Sequence, residues 1–303
     1  MAAVETNPPG RSRSDAWSAA KTAGADRTLM LLVPGALVVI LLFIYPFLYG
    51  LLLSFAPKAG SVFANYRTFF TTPRLRDTIA TTLWIAVPAT LVNVGLALPI
   101  AYRMRRNSRW QRLLTALLVI PITLGTVLVA EGLLTYLGPQ GWFNRTLIDL
   151  GLASAPVRLT HNYWGVVLSL VITGFPFAFL LVLSYITGID PALAQAAATL
   201  GAGPAARFRH IYLPLLAPGL AIALCLSFVQ AFSVFPSAVL LGAPAGPTRV
   251  ISIAAYQAAF EDYDYAMASA IAMVMGAVQL VIVAAILALR GVFYRGPAAG
   301  GKG

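Results

Sequence analysis

The chain has 303 residues, 59% of them hydrophobic and only 10% charged, with a mean hydropathy of +0.81. A soluble domain carries about 25% charged residues, so this composition excludes one and describes a polytopic protein of the lipid bilayer. The net charge of +11 sits largely on arginines between apolar runs. That is the pattern of membrane loops, and it points away from a nucleic-acid partner.

In chain order, residues 1–26 are polar and rich in Ala, Gly and Ser, and read as an N-terminal tail. A membrane domain covers 27–292, and 293–303 form a C-terminal tail. The first apolar run, Leu29 to Phe55, is far longer than the core of a signal peptide. Pro34 and Pro46 are expected to kink it. Residues 56–78 mix charged and apolar residues and read as a loop. Span two runs from about Ile79 to Tyr102, and five arginines follow within 103–112. Span three covers Leu113 to Leu137, with a loop after it that holds Trp142 and Asn144. Span four covers Tyr163 to Ile186, with an interruption expected at Gly174-Phe175-Pro176. Spans five and six follow at Leu215–Leu241 and Tyr265–Leu289. With both termini inside, the inner segments hold 14 of the 21 Lys and Arg and the outer loops 7. The bias predicts an N-in, C-in orientation.

Between spans four and five lies a stretch too short and too broken to cross a bilayer. Asp190 is placed to cap a helix whose first turn takes Pro191. Gly201 is placed to end it in a left-handed turn. Gly203-Pro204 offers a second start, and Pro214 is expected to stop that helix. Two short helices meeting at a bend outside the membrane make a docking element.

The residues that fill this stretch are Gln195-Ala196-Ala197, Leu200-Gly201-Ala202, Pro204, and Phe208, Ile211, Leu213 and Pro214. They resemble the Glu-Ala-Ala loop of permease subunits in bacterial ABC importers, a motif of about 20 residues that forms coupling helices. The Leu-Gly-Ala-x-Pro part is more similar to polyamine, thiamine, iron and sulfate permeases than to sugar permeases. Gln195 departs from the glutamate usual there, which puts a charged contact with the ATPase in doubt. The resemblance implies an all-α membrane protein with the type I importer permease fold, its six spans joined by the coupling loop. It also implies a multi-pass protein of a bacterial inner membrane. Its partners would be a cytoplasmic ATPase dimer, a second permease (the same chain or another) and a periplasmic substrate-binding protein. ATP and Mg would be bound by the ATPase, with no cofactor or metal in this chain.

The chain itself offers no catalytic constellation. It has no phosphate-cradling G-x-x-x-x-G-K-[ST], no H-E-x-x-H and no G-x-S-x-G, and its single cysteine, Cys225, rules out an internal disulfide. Polar residues inside spans are the remaining signal, since charge in hydrocarbon is costly and marks pathways. Glu131 is the only ionisable residue well inside a span, and Asn93, Gln230 and Ser233 are weaker pathway candidates. Hydrogen bonding between helices is the competing explanation for all four. Tyr45, Tyr136 and Trp142 fit an interfacial aromatic belt. The resemblance of the Leu-Gly-Ala-x-Pro part implies a permease for a polyamine such as spermidine or putrescine, with sugar, iron, thiamine and sulfate open. A secondary transporter would need ion-coupling carboxylates and has no use for the docking element. A membrane-embedded enzyme would need several polar groups at one depth.

The charge bias makes a direct prediction. With Cys225 replaced, a cysteine placed in 103–112 or 195–210 is shielded from a membrane-impermeant thiol reagent in whole cells, whereas one in 138–145 reacts. Labelling of 195–210 from outside reverses the orientation.

Overall fold

The computed structural model describes residues 32–105 and 109–293. The tail 1–26, the first residues of span one, Arg106 to Ser108 of the arginine cluster, and the C-terminal tail apart from Phe293 lie outside them. Among the described residues all regular structure is helical, and six helices are long and apolar enough to cross a bilayer. Helix is the expected answer, because backbone N–H and C=O groups in hydrocarbon must pair within their own segment.

The chain divides into two compact units, Met1–Leu53 and Ser54–Gly303. The first is built on α1 (Leu32–Ser54). Its turn at Ile40–Ile44 is a π-helix in which the Tyr45 N–H donates to the Ile40 carbonyl. Pro46 follows at once. Proline has no N–H to donate, and its ring crowds the carbonyl four residues back. Widening the preceding turn relieves that crowding, so the helix runs on through the proline.

The second unit opens with α2 (Ala64–Thr71) and α3 (Pro73–Met104), so the expected 56–78 loop is in large part helical. Phe69 is the reason: it is fully buried and anchors α2 against the core. After α3 come α4 (Arg109–Leu137) and α5 (Trp142–Asp149). α4 is broken at Gly125, whose φ of 74° and ψ of 164° are not helical. The second half of the expected 138–145 loop is already α5, held by one side chain. Asn144 Nδ2 donates to the carbonyls of Leu137, Gly138 and Val157, and its Oδ1 accepts from the Val157 N–H at 2.8 Å.

α6 (Tyr163–Thr187) starts at Asn162, whose side chain accepts from the Gly165 N–H at 2.9 Å. It runs unbroken through Gly174 and Pro176, against the expected interruption. Of the spans it is the most enclosed, and its largest contact is with α3. The buried stripe of α3 (Ile85, Ala86, Ala89, Val94, Ala97, Ala101) keeps to helical spacing and is mostly small, which lets the two backbones approach.

Then follow α7 (Pro191–Thr199), α8 (Pro204–Phe232), α9 (Pro236–Leu240), α10 (Ile251–Phe260) and α11 (Tyr265–Phe293). The fifth span therefore ends at Phe232 and not at Leu241. Phe235 has φ −133°, outside helical geometry, and Pro236 takes the first position of a separate short helix after it. The apolar α10 is too short to cross and packs on α11 and α3, its Ile251 N–H donating to Thr82 Oγ1 at 2.9 Å. Nearby, Arg249 binds Gln257 Oε1 through two N–H groups and the Arg74 carbonyl through a third.

α8 meets α6 where Gly219 faces Tyr185. A Cβ on Gly219 would lie within 2.7 Å of both Cδ atoms of that ring. Gly219→Val is therefore expected to lower stability by about 1–3 kcal/mol, as overpacking does. The same change made on Tyr185→Ala is expected to cost clearly less. Thermal unfolding of the purified variants in detergent reads the difference, and equal costs in both backgrounds would remove the contact as the cause.

Candidate coupling surface and membrane polar layer

The docking stretch folds as two capped helices. Asp190 Oδ1 accepts from the Ala192 N–H at 2.9 Å, and Pro191 takes the first helical position. At the far end Gly201 lies in the left-handed region with φ 84°. Its N–H donates to the Ala198 carbonyl at 3.0 Å, and the Ala202 N–H reaches back to Ala197 at 2.9 Å. This pair of bonds is the Schellman end of a helix, and it closes the carbonyls that α7 would otherwise leave open. Gly203 and Pro204 then start α8.

Pro214 does not end the second helix. The turn Phe208–Tyr212 is π-helical, and the Leu213 N–H donates to the Phe208 carbonyl. The helix passes through Pro214 into span five without a stop, by the same device that precedes Pro46. The second half of the docking element is thus a rigid extension of a membrane helix.

Four side chains tie it to the end of α3. The Tyr102 ring meets Phe208 edge-on at 4.7 Å and Tyr212 at 5.2 Å. The Arg105 guanidinium lies 4.1 Å from the centroid of Tyr102 and 5.1 Å from that of Tyr212. One of its N–H groups donates to the Tyr102 carbonyl at 2.7 Å. Aromatic pairs of this kind contribute about 0.5–1.5 kcal/mol each and the cation–π contacts about 0.5–1 kcal/mol. Ala194 is the buried residue of α7. Leu193, Gln195, Ala196 and Leu200 are exposed on the element, the last to 88%.

Within the membrane the core falls into two apolar clusters. One holds Ile85, Ala89, Leu170, Phe228 and Ile271. The other, at the docking end, holds Val94, Ala178, Phe179, Leu216 and Ala223. The polar residues Thr90, Asn93, Thr173 and Ser227 sit between the two in sequence on three helices. Asn93 Nδ2 donates to the Leu170 carbonyl at 3.3 Å. A Cβ on Gly174 would collide with that same Nδ2 and lie 3.9 Å from Gln230 Oε1, so the glycine makes room for both amides. Asn93 Oδ1, Thr90 Oγ1 and Ser227 Oγ are buried and have no partner among the described residues. Ser233 is paired with Gln279, whose Nε2 donates to its Oγ at 2.8 Å.

Asn93 and Gln230 are therefore brought together, with Ser233 one turn further along α8. Glu131 is not part of this layer. It lines an open groove of about 660 Å³ between α4 and α5, with Thr135, Tyr136, Gln140, Trp142 and Arg145. Gln279 was missed by the sequence reasoning, although a lone glutamine in an apolar span was a usable signal. Gly174 could not be found that way, because its role exists only against Asn93.

The profile of the family described as "binding-protein-dependent transport system inner membrane component" matches residues 93–295, which includes the docking element and four of the spans. The chain belongs to this family. As an ABC importer permease of the inner membrane it has recognisable relatives. It is 32% identical over 205 residues to the spermidine/putrescine transport system permease protein PotB of Haemophilus influenzae, covering 65% of this chain and 71% of the relative. It is 28% identical over 234 residues to the sulfate transport system permease protein CysT of Salmonella typhimurium, covering 77% and 82%. Among solved structures, a chain of a bacterial alginate ABC transporter, in complex with an alginate-bound periplasmic protein, superposes with a TM-score of 0.75. That match is 24% identical and covers 88% of this permease and 94% of the other chain, which shows the shared fold.

The left-handed Gly201 generates a test. A Cβ there meets nothing within 4 Å, so a substitution acts through backbone strain and not through a clash. Gly201→Val is expected to cost about 1 kcal/mol or more locally, and Gly201→Asn less, because asparagine tolerates this region. Uptake is expected to fall in the order Gly, Asn, Val at equal membrane levels. Equal uptake by all three would show that the bend geometry is immaterial.

Proposed function

We propose that this permease pairs with a second permease, either a copy or a different chain, to form the translocation pathway of a binding-protein-dependent importer. Two cytoplasmic ATPase subunits bind ATP and Mg and dock on α7 and the start of α8. A periplasmic binding protein delivers the substrate to the opposite face. The orientation is N-in and C-in, with 27–292 as the transport domain between two cytoplasmic tails. In this reading Gln195, Ala196, Ala197, Leu200, Gly201, Ala202, Pro204, Phe208, Ile211, Leu213 and Pro214 build the docking element. The observation that carries it is the geometry of that element: a surface-exposed helix with a fixed end, continuous with span five and clamped to span two. Closure of the ATPase dimer would move α3 and α8 together.

For substrate, the reading is a polyamine. It rests on the spermidine/putrescine relative and on the groove at Glu131, where a carboxylate stands with the aromatic residues Tyr136 and Trp142. An ammonium group is attracted by both, and an ammonium–carboxylate pair at 4 Å gains roughly 4 kcal/mol at an effective dielectric near 20, before desolvation. Asn93, Gln230 and Ser233 are proposed as polar points along the pathway. Arg145 lines the same groove and, with the sulfate relatives, supports an oxyanion as the second reading.

The two readings separate in one experiment. In vesicles of the assembled transporter, Glu131→Gln is expected to reduce spermidine uptake at unchanged protein level and basal ATPase, with Arg145→Gln neutral. Sulfate uptake that falls with Arg145→Gln and ignores Glu131→Gln decides for the oxyanion. Loss of uptake only in step with protein abundance makes Glu131 a structural residue.

A further inference from the structure

Behind the docking helix lies a cavity of about 340 Å³ whose polar lining is Arg105, Thr187, Gln195 and Arg207. Arg207 Nε is buried and has no partner, and among the described residues neither arginine is in an ion pair. The bond from Arg105 to the Tyr102 carbonyl uses one of its five donors. The neighbouring carboxylate, Asp190, caps α7. Gln195, which lines the same cavity where the family usually has a glutamate, supplies no carboxylate to it.

A second cavity, an open groove of about 730 Å³, shares Arg105 and Thr187 with the first. It adds Arg112, then runs between α4 and α6 along Thr115, Ala116 and Leu183. The lining thus changes from arginines and Gln111 at the helix ends to the small or aliphatic, uncharged Thr115, Ala116 and Leu183 within the spans. A ligand that matches this has an anionic head and a hydrocarbon body.

We propose that Arg105, Arg112 and Arg207 hold the phosphate of an anionic phospholipid whose acyl chain lies in the α4–α6 groove, so that the lipid braces the docking element against spans three and four. Basic pockets at the ends of membrane helices suit such headgroups. Assignment to the cytoplasmic leaflet rests on the orientation proposed above. The pocket itself does not depend on it.

The test is native mass spectrometry of the full-length permease, offered dioleoyl phosphatidylglycerol or dioleoyl phosphatidylcholine. Wild type is expected to retain phosphatidylglycerol in preference to phosphatidylcholine. Each guanidinium near an anionic lipid contributes about fivefold, so Arg112→Gln with Arg207→Gln is expected to lower retention about thirtyfold, and Arg158→Gln at the other end not at all. Gln195→Glu, which supplies an internal carboxylate, is expected to lower it as well, and it guards against misfolding of the double variant. Equal retention of the two lipids, or retention indifferent to Arg207 and Gln195, overturns the proposal. Excess inorganic phosphate that binds the pocket while lipid does not assigns the site to a free anion and overturns the lipid. Co-purification of the ATPase, measured on the same variants, is a separate readout. If it falls with Arg207→Gln while lipid retention holds, the pocket serves an ATPase carboxylate and the lipid assignment fails. If wild type binds no ATPase, the proposed function fails and the lipid result stands by itself.

Discussion

The way Tyr102 sits between Phe208, Tyr212 and Arg105 is the contact on which the docking end depends. A loop that leaves the membrane and returns has many conformations, and ordering it costs about 1–2 kcal/mol per residue in backbone entropy. A few aromatic contacts offset only part of that. The rest comes from removing the freedom locally: Asp190 and Pro191 fix one end of α7, Gly201 fixes the other, and α8 is the membrane helix itself. Few residues are left to order. In the proposed function such an element passes a displacement to α3 and α8, which a flexible loop could not do.

The same economy explains the two π turns. A helix that must bear load through a proline has to keep its axis without the missing hydrogen bond. In α1 and α8 the residue before the proline donates to the carbonyl five residues back, so one wide turn absorbs the defect. Pro176 in α6 needs no such turn, and Gly174 beside it serves a different purpose, giving space to the Asn93 amide. The buried polar groups around that glycine are costly in an apolar surround unless something pairs with them, which is why their place between the two apolar clusters argues for a pathway.

Much of this was legible in the residues. Six apolar runs, the arginine clusters and the caps at Asp190 and Gly201 each state a local rule, and local rules survive folding. Proline at 214 was misleading because its usual meaning, a stop, holds for isolated helices; a preceding π turn is invisible to periodicity. The short helices α2, α5 and α10 were missed for a tertiary reason. Each is held in part by a contact with residues outside it, buried Phe69, the bonds of Asn144 and the Ile251 bond to Thr82, which periodicity does not show. The approach of Asn93 and Gln230 to Gly174 involves three helices, and the separation of Glu131 from that layer depends on where α4 lies.

The central claim is that the docking bend and the end of span two form one body. Spin labels at Leu200 and Arg103, both exposed, with Cys225 replaced, report on it through the distance between them in the assembled transporter. The account predicts one narrow distance distribution that is the same in the resting state and with ATP and Mg bound. A shift or broadening of that distance on ATP binding would contradict it, because the bend would then move independently of α3.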